Sequence, residues 1–75
     1  MKRYRNLGGN SGVRAYELDD ESIVIEFTDS GIYRYTYESA GESHIETMKT
    51  LAVAGRGLAT YINKHVRDRY ESRLD

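Results

Sequence analysis

Cysteine and proline are both missing from this 75-residue chain, phenylalanine occurs once and histidine twice. Without cysteine there is no disulfide framework, no thiol nucleophile and no Cys-ligated zinc. Without proline, the chain must be punctuated by glycine and by short polar clusters. No apolar run has the length of a membrane span. What is present, 39% hydrophobic and 31% charged residues, suits a globular domain and excludes a disordered tail or a collagen-like repeat. The length allows one domain, residues 1–75, and a domain this small buries only about 60% of the surface its unfolded chain exposes. Nearly every large apolar side chain should therefore be needed.

Charge is balanced in total and uneven along the chain. The formal net charge is −1, yet residues 1–14 carry +4, residues 15–46 carry −8 and residues 47–75 carry +3. The opening Met1-Lys2-Arg3-Tyr4-Arg5-Asn6-Leu7 has basic residues with no apolar stretch after them, which is not a secretory pattern, and the expectation is a cytoplasmic protein with no membrane partner.

Periodicity predicts an α+β fold of order β-β-β-α-α: a three-stranded antiparallel meander with two C-terminal helices packed on one face. Residues 1–12 form an N-terminal arm ending in the glycine-rich turn Gly8-Gly9-Asn10-Ser11-Gly12, and residues 13–37 form the strands. Ile23, Ile25 and Phe27 alternate with polar neighbours, as do Tyr33, Tyr35 and Tyr37. Asp19-Asp20-Glu21 and Asp29-Ser30-Gly31 read as turns, the second with Gly31 at positive φ. Val13 and Tyr16, three apart, share a face only if the first strand carries a bulge. The first helix is placed at 43–54, started by a capping box from Ser43 to Glu46 in preference to one from Ser39 to Glu42, and stopped at Gly55. The second is placed at 58–73, with Leu58, Tyr61, Ile62, Val66 and Tyr70 on one face. One core is expected to contain Phe27, Tyr35, Leu51 and Ile62.

Three stretches carry a family resemblance: Phe27 with Gly31 and Tyr33-Arg34-Tyr35; Gly55-Arg56-Gly57 opening a helix with Tyr61; and Val66-Arg67-Asp68-Arg69-Tyr70. On these the chain resembles the KTSC domain, which occurs at the C-terminus of some lysyl-tRNA synthetases and as small stand-alone bacterial and phage proteins. The segments Asn10-Ser11-Gly12-Val13, Tyr35 to Gly41 and Gly57 to Asn63 resemble a subgroup of short uncharacterised proteins. Tyr37-Glu38-Ser39-Ala40-Gly41 departs from the Gly-Val-Pro of many members. The resemblance implies a sheet-plus-helices fold and brings no established activity.

Catalytic material is thin, and no enzyme is expected. His44 and His65 have no acidic residue at a metal-ligand spacing, so no metal and no cofactor is assigned. Ser11 lacks the glycine frame of a nucleophile elbow and reads as a turn residue. Three features remain as binding candidates. Gly55-Arg56-Gly57 is either a helix-helix corner or an anion site made by convergent amides beside a guanidinium. Lys64, Arg67 and Arg69, with Arg73, form a basic stretch that either tracks phosphates or stays solvated. Tyr33, Tyr35 and Tyr37 form an aromatic face that either stacks bases or packs the core. The favoured expectation is a non-enzymatic binding or accessory module for another protein or for a second copy of itself. The alternative is RNA or DNA binding through the Arg56 loop and the second helix.

Overall fold

The meander is built as the alternation predicts and then extended at both sides. A computed structural model describes residues 1–9 and 11–75; Asn10, placed by the sequence in the glycine-rich turn, lies outside the described residues. Strands β1 (Lys2–Arg3), β2 (Val13–Leu18), β3 (Ser22–Phe27), β4 (Gly31–Thr36) and β5 (Ser72–Arg73) form one antiparallel sheet in chain order. The predicted bulge lies between Val13 and Ala15, and it turns both Val13 and Tyr16 inward to the core. Gly31 closes the β3–β4 turn at φ +103, a conformation that glycine adopts without a Cβ penalty.

Tyr37 is not a strand residue. The sheet ends at Thr36, which caps a single helical turn, α1 (Tyr37–Ala40): the Ser39 amide donates to Thr36 Oγ1, and the Thr36 amide donates to Ser39 Oγ, each at 3.0 Å. A capping box is thus present, but it is neither predicted one: it runs from Thr36 to Ser39, about one turn before the box from Ser39 and about two before the box from Ser43. Gly41, at φ 100 and ψ 142, breaks the chain before α2 (Glu42–Ala54). That conformation is open essentially to glycine alone, so Gly41 serves as the N-cap without a side chain and Ser43 lies inside the helix.

The second helix is shorter than its 58–73 pattern. It runs as α3 (Leu58–Tyr61) directly into a π-helical turn (Ile62–Val66). Leu58, Ile62 and Val66 recur every four residues, a longer spacing than an α-helical turn, and the wider π turn keeps all three buried. After Val66 the chain leaves the helix because β4 still has backbone groups to satisfy. The Glu71 amide donates to Arg34 O at 2.7 Å and the Leu74 amide to Ile32 O at 2.8 Å, forming β5. Arg69, Tyr70 and Arg73 are therefore off the helix.

The N-terminal arm is part of the fold. Beyond the β1–β2 pairing, Tyr4 is 3% exposed and belongs to the core. Its hydroxyl accepts the Leu58 amide at 3.3 Å. Arg5 donates to Val53 O at 2.9 Å and so caps the C-terminus of α2. Ile23, Ile25, Ile45, Met48, Leu58 and Val66 form the most deeply buried set with Tyr35. Of the four residues expected in the core, Tyr35 and Ile62 are buried there, whereas Phe27 and Leu51 pack against it half-buried. No helix is long and apolar enough to cross a membrane among the described residues.

Candidate functional site

The two basic ends of the sequence meet on one side of the molecule. Arg3, Arg5 and Arg14 line a cleft of about 310 Å³ with Tyr4, Asn6 and Ser11. Those last three residues also line a second cleft of about 210 Å³ that holds Arg56 and ends at Ala59 and Thr60. Ala59 in turn borders a third, of about 480 Å³, walled by Phe27, Tyr33, Tyr35, Tyr70, Arg67 and Asp68. Five arginines and one acid thus stand along three connected clefts. A fourth cleft shows the opposite balance, with Glu21, Glu38 and Glu71 and no basic residue in its walls. Charge separated this way gives the surface a field with a basic and an acidic side.

The loop that joins the first two clefts is held by its own residues. Asn6 adopts φ +54, which asparagine tolerates better than most residues. Its backbone oxygen accepts the Gly9 amide, and its side chain accepts the Ser11 amide at 3.1 Å. Ser11 Oγ accepts the Val13 amide at 3.1 Å, the turn role expected for it. The Leu7 amide donates to Gly55 O at 2.8 Å, clipping the loop to the end of α2.

Gly55 and Gly57 both have positive φ, one ending α2 and the other preceding α3. The corner reading is therefore met, with Arg56 exposed between them. The first helical amide beyond the corner, Leu58, already donates to Tyr4, so attraction for an anion here comes from the Arg56 guanidinium. Among the described residues no ion pair involves Arg3, Arg56 or Arg67, whereas Arg14 lies 3.7 Å from Glu26. Of the predicted basic stretch, Arg67 reaches the aromatic cleft; Lys64 and Arg69 are exposed and line none of the three clefts.

The tyrosines divide. Tyr35 is 2% exposed, a core residue; burial, followed by the charges of Tyr33, Tyr70 and Asp68, pushes its phenol up to about 12. Tyr33 is half-buried and packs edge-on to Phe27 and against Tyr70, with ring centroids 5.8 and 4.7 Å apart. Tyr70 remains 41% exposed. Tyr37 is elsewhere: its hydroxyl donates to Glu46 at 2.6 Å, a bond that holds the Glu46 carboxyl below its ordinary range, with Lys49 assisting.

On the other side of α3, His44 Nδ1 and the Tyr61 hydroxyl share a hydrogen bond of 2.7 Å. His65 stacks on His44 at 5.4 Å between centroids. The sequence presents the two histidines separately and gives no sign that they meet. Among the described residues no three metal-ligating side chains cluster.

The contribution of Arg3, Arg5, Arg14, Phe27 and Tyr70 was also hidden in the sequence. Its one usable signal was the charge blocking, basic at both ends and acidic between. No protein-family profile, curated protein or solved structure matches the chain.

Proposed function

We propose that the protein is a binding module that works without chemistry and holds the phosphate backbone of a nucleic acid along the arginine-lined clefts. The observation that carries this reading is the continuity of the clefts of Arg3, Arg5 and Arg14, of Arg56 and of Arg67, with Asp68 as the one acid in their walls. Clustered guanidiniums bind phosphates and attract them over a distance. The acidic cleft of Glu21, Glu38 and Glu71 orients the approach by repelling them. A cytoplasmic location suits such a partner. The resemblance to the KTSC domain, found beside some tRNA-charging enzymes, supplies an association in the same direction.

The test is fluorescence anisotropy of labelled RNA and DNA against salt concentration. If all five arginines meet phosphates, the log-log slope should be about −3.5 to −4.5, and less steep by roughly 0.7 to 0.9 in Arg56→Ala. Binding that ignores salt refutes the reading.

A second reading, a module for a protein or a second copy of the chain, draws on Met1 and Leu18, which are exposed and flank Tyr16 in a cleft at the β1–β2 edge. Strand addition has little room, because each sheet edge ends in a two-residue strand.

A further inference from the structure

We infer that the third cleft receives an unpaired base, so that the ligand of the arginine track is a single-stranded nucleic acid; this rests on the phosphate-binding reading above. At about 480 Å³ the cleft lies in the size range that encloses small flat ligands. Its walls are aromatic and steeply inclined to each other, Phe27 to Tyr33 at 70° and Tyr33 to Tyr70 at 59°. One face of Tyr33 is already taken, since the Arg73 guanidinium lies over its ring at 5.5 Å. Tyr70 packs against Tyr33 and edge-on to Tyr35, with centroids 4.7 and 6.2 Å away, and is still 41% exposed, so its open part is the aromatic surface left for an incoming partner. Base stacking on such a ring tolerates any sequence, because every base has a π face.

Polar groups are placed to complete the site. Arg67, Asp68 and Asn63 share the cleft with the rings: the guanidinium suits a phosphate, the carboxylate accepts from a base amine, and the amide does either. Continuity decides the occupant. A strand whose base enters this cleft passes its backbone over Ala59 to Arg56 and on toward Arg3, Arg5 and Arg14. A single strand alternates flat apolar groups with negative charges, and this surface offers rings at one end and cations beyond them. A duplex keeps its bases stacked inside and can use only the cations.

The experiment compares two labelled probes at one low salt concentration, an oligouridylate of about 12 nucleotides and a duplex of the same length. The single strand should bind more tightly than the duplex. Tyr70→Ala should weaken the single strand by about 5- to 150-fold and leave the duplex unchanged, whereas Tyr70→Phe should keep the native affinity. In the unaltered protein, which removes any concern over folding, the Tyr70 ring protons should move upfield with oligouridylate and stay in place with heparin. Equal, salt-dependent binding of both probes, unaffected by Tyr70→Ala, overturns this inference and leaves the phosphate-binding reading standing. Failure of both probes to bind overturns the two together. Ring shifts produced by an acidic, tyrosine-containing peptide, with none from oligouridylate, would assign the cleft to a protein partner and overturn the inference as well.

Discussion

Tyr4 offers the sharpest test of how the first residues hold the fold, because its ring and its hydroxyl do separable work. The ring is 3% exposed within the core cluster, so Tyr4→Ala should destabilise the domain by about 3 to 5 kcal/mol, the range for emptying a buried aromatic site. A chain of this length has about 4 to 11 kcal/mol in total, and the variant should stand near the edge of folding. Tyr4→Phe keeps the ring and removes only the acceptor of the Leu58 amide at 3.3 Å. A buried donor left alone costs about 1 to 3 kcal/mol. The bond is long for an N–H donor, so less is lost with it, which points to the lower end, about 1 kcal/mol. That corresponds to a fall in Tm of about 4 to 8 °C. Urea titrations followed by far-UV circular dichroism would measure both variants. An unchanged midpoint for Tyr4→Ala would refute the packing of the arm, and a Tyr4→Phe loss equal to that of Tyr4→Ala would refute the division of labour.

Other predictions concern the core, the corner and pH. Ile25→Ala, at a fully buried strand position, should cost about 2 to 5 kcal/mol in the same titration; a loss under half a kcal/mol would contradict the core assignment. Gly55→Ala places a residue with Cβ at φ +78, 2.9 Å from the Arg5 Cβ. The left-handed conformation alone costs about 1 to 2 kcal/mol, and the displaced Arg5 should also release the end of α2, visible as faster amide exchange at the C-terminal turn. Retained protection there would count against the Arg5 cap. Because burial lifts the Tyr35 phenol to about 12, the folded chain keeps this proton where the unfolded chain loses it near 10. The stability it contributes is intact below pH 10 and is lost as pH rises from 10 toward 12, by about 2 to 3 kcal/mol. Urea midpoints that stay constant across that window would refute the shift.

The parts of the fold that were legible in the sequence were those fixed by local alternation. Ile23 and Ile25 announced β3, the spacing of Val13 and Tyr16 required a bulge, and the apolar stripe of Ile45, Met48, Leu51 and Ala52 marked the inward face of α2, where Leu51 alone stays half-buried. The features that escaped depended on contacts between distant residues. Nothing near Tyr4 in the sequence says that it meets Leu58, and nothing in Asp68 to Leu74 announces an edge strand, because that strand exists to satisfy Ile32 and Arg34. The same limit applied to the candidate site. Arg56 and Arg67 could be named singly from the chain, yet their alignment with Arg3, Arg5 and Arg14 depends on the clip between Leu7 and Gly55. Tyr70 was assigned to a helical stripe because its spacing fits one, and the π turn that ends the helix first leaves no local trace beyond the repeat of four.

That π turn can be viewed as one residue more than an α-helix would use over the same path. Wound as an α-helix, one extra residue would rotate the downstream chain by about 100° around the helix axis, and the wider π turn takes up that rotation. With Ile62 to Val66 as they stand, Tyr61 and His65 contact His44, while Asn63 and Arg67 look into the aromatic cleft. Deleting Lys64, exposed on the turn, would let the segment wind as an ordinary helix over the same path, with Val66 still on the buried face of Ile62 and Arg67 still on the face of Asn63 that meets the aromatic cleft. The turn therefore acts as a slack loop wound into the helix: it holds one residue more than the path requires, and core and cleft are tied together on either side of it, so a single-residue loss at this one place is tolerated by both.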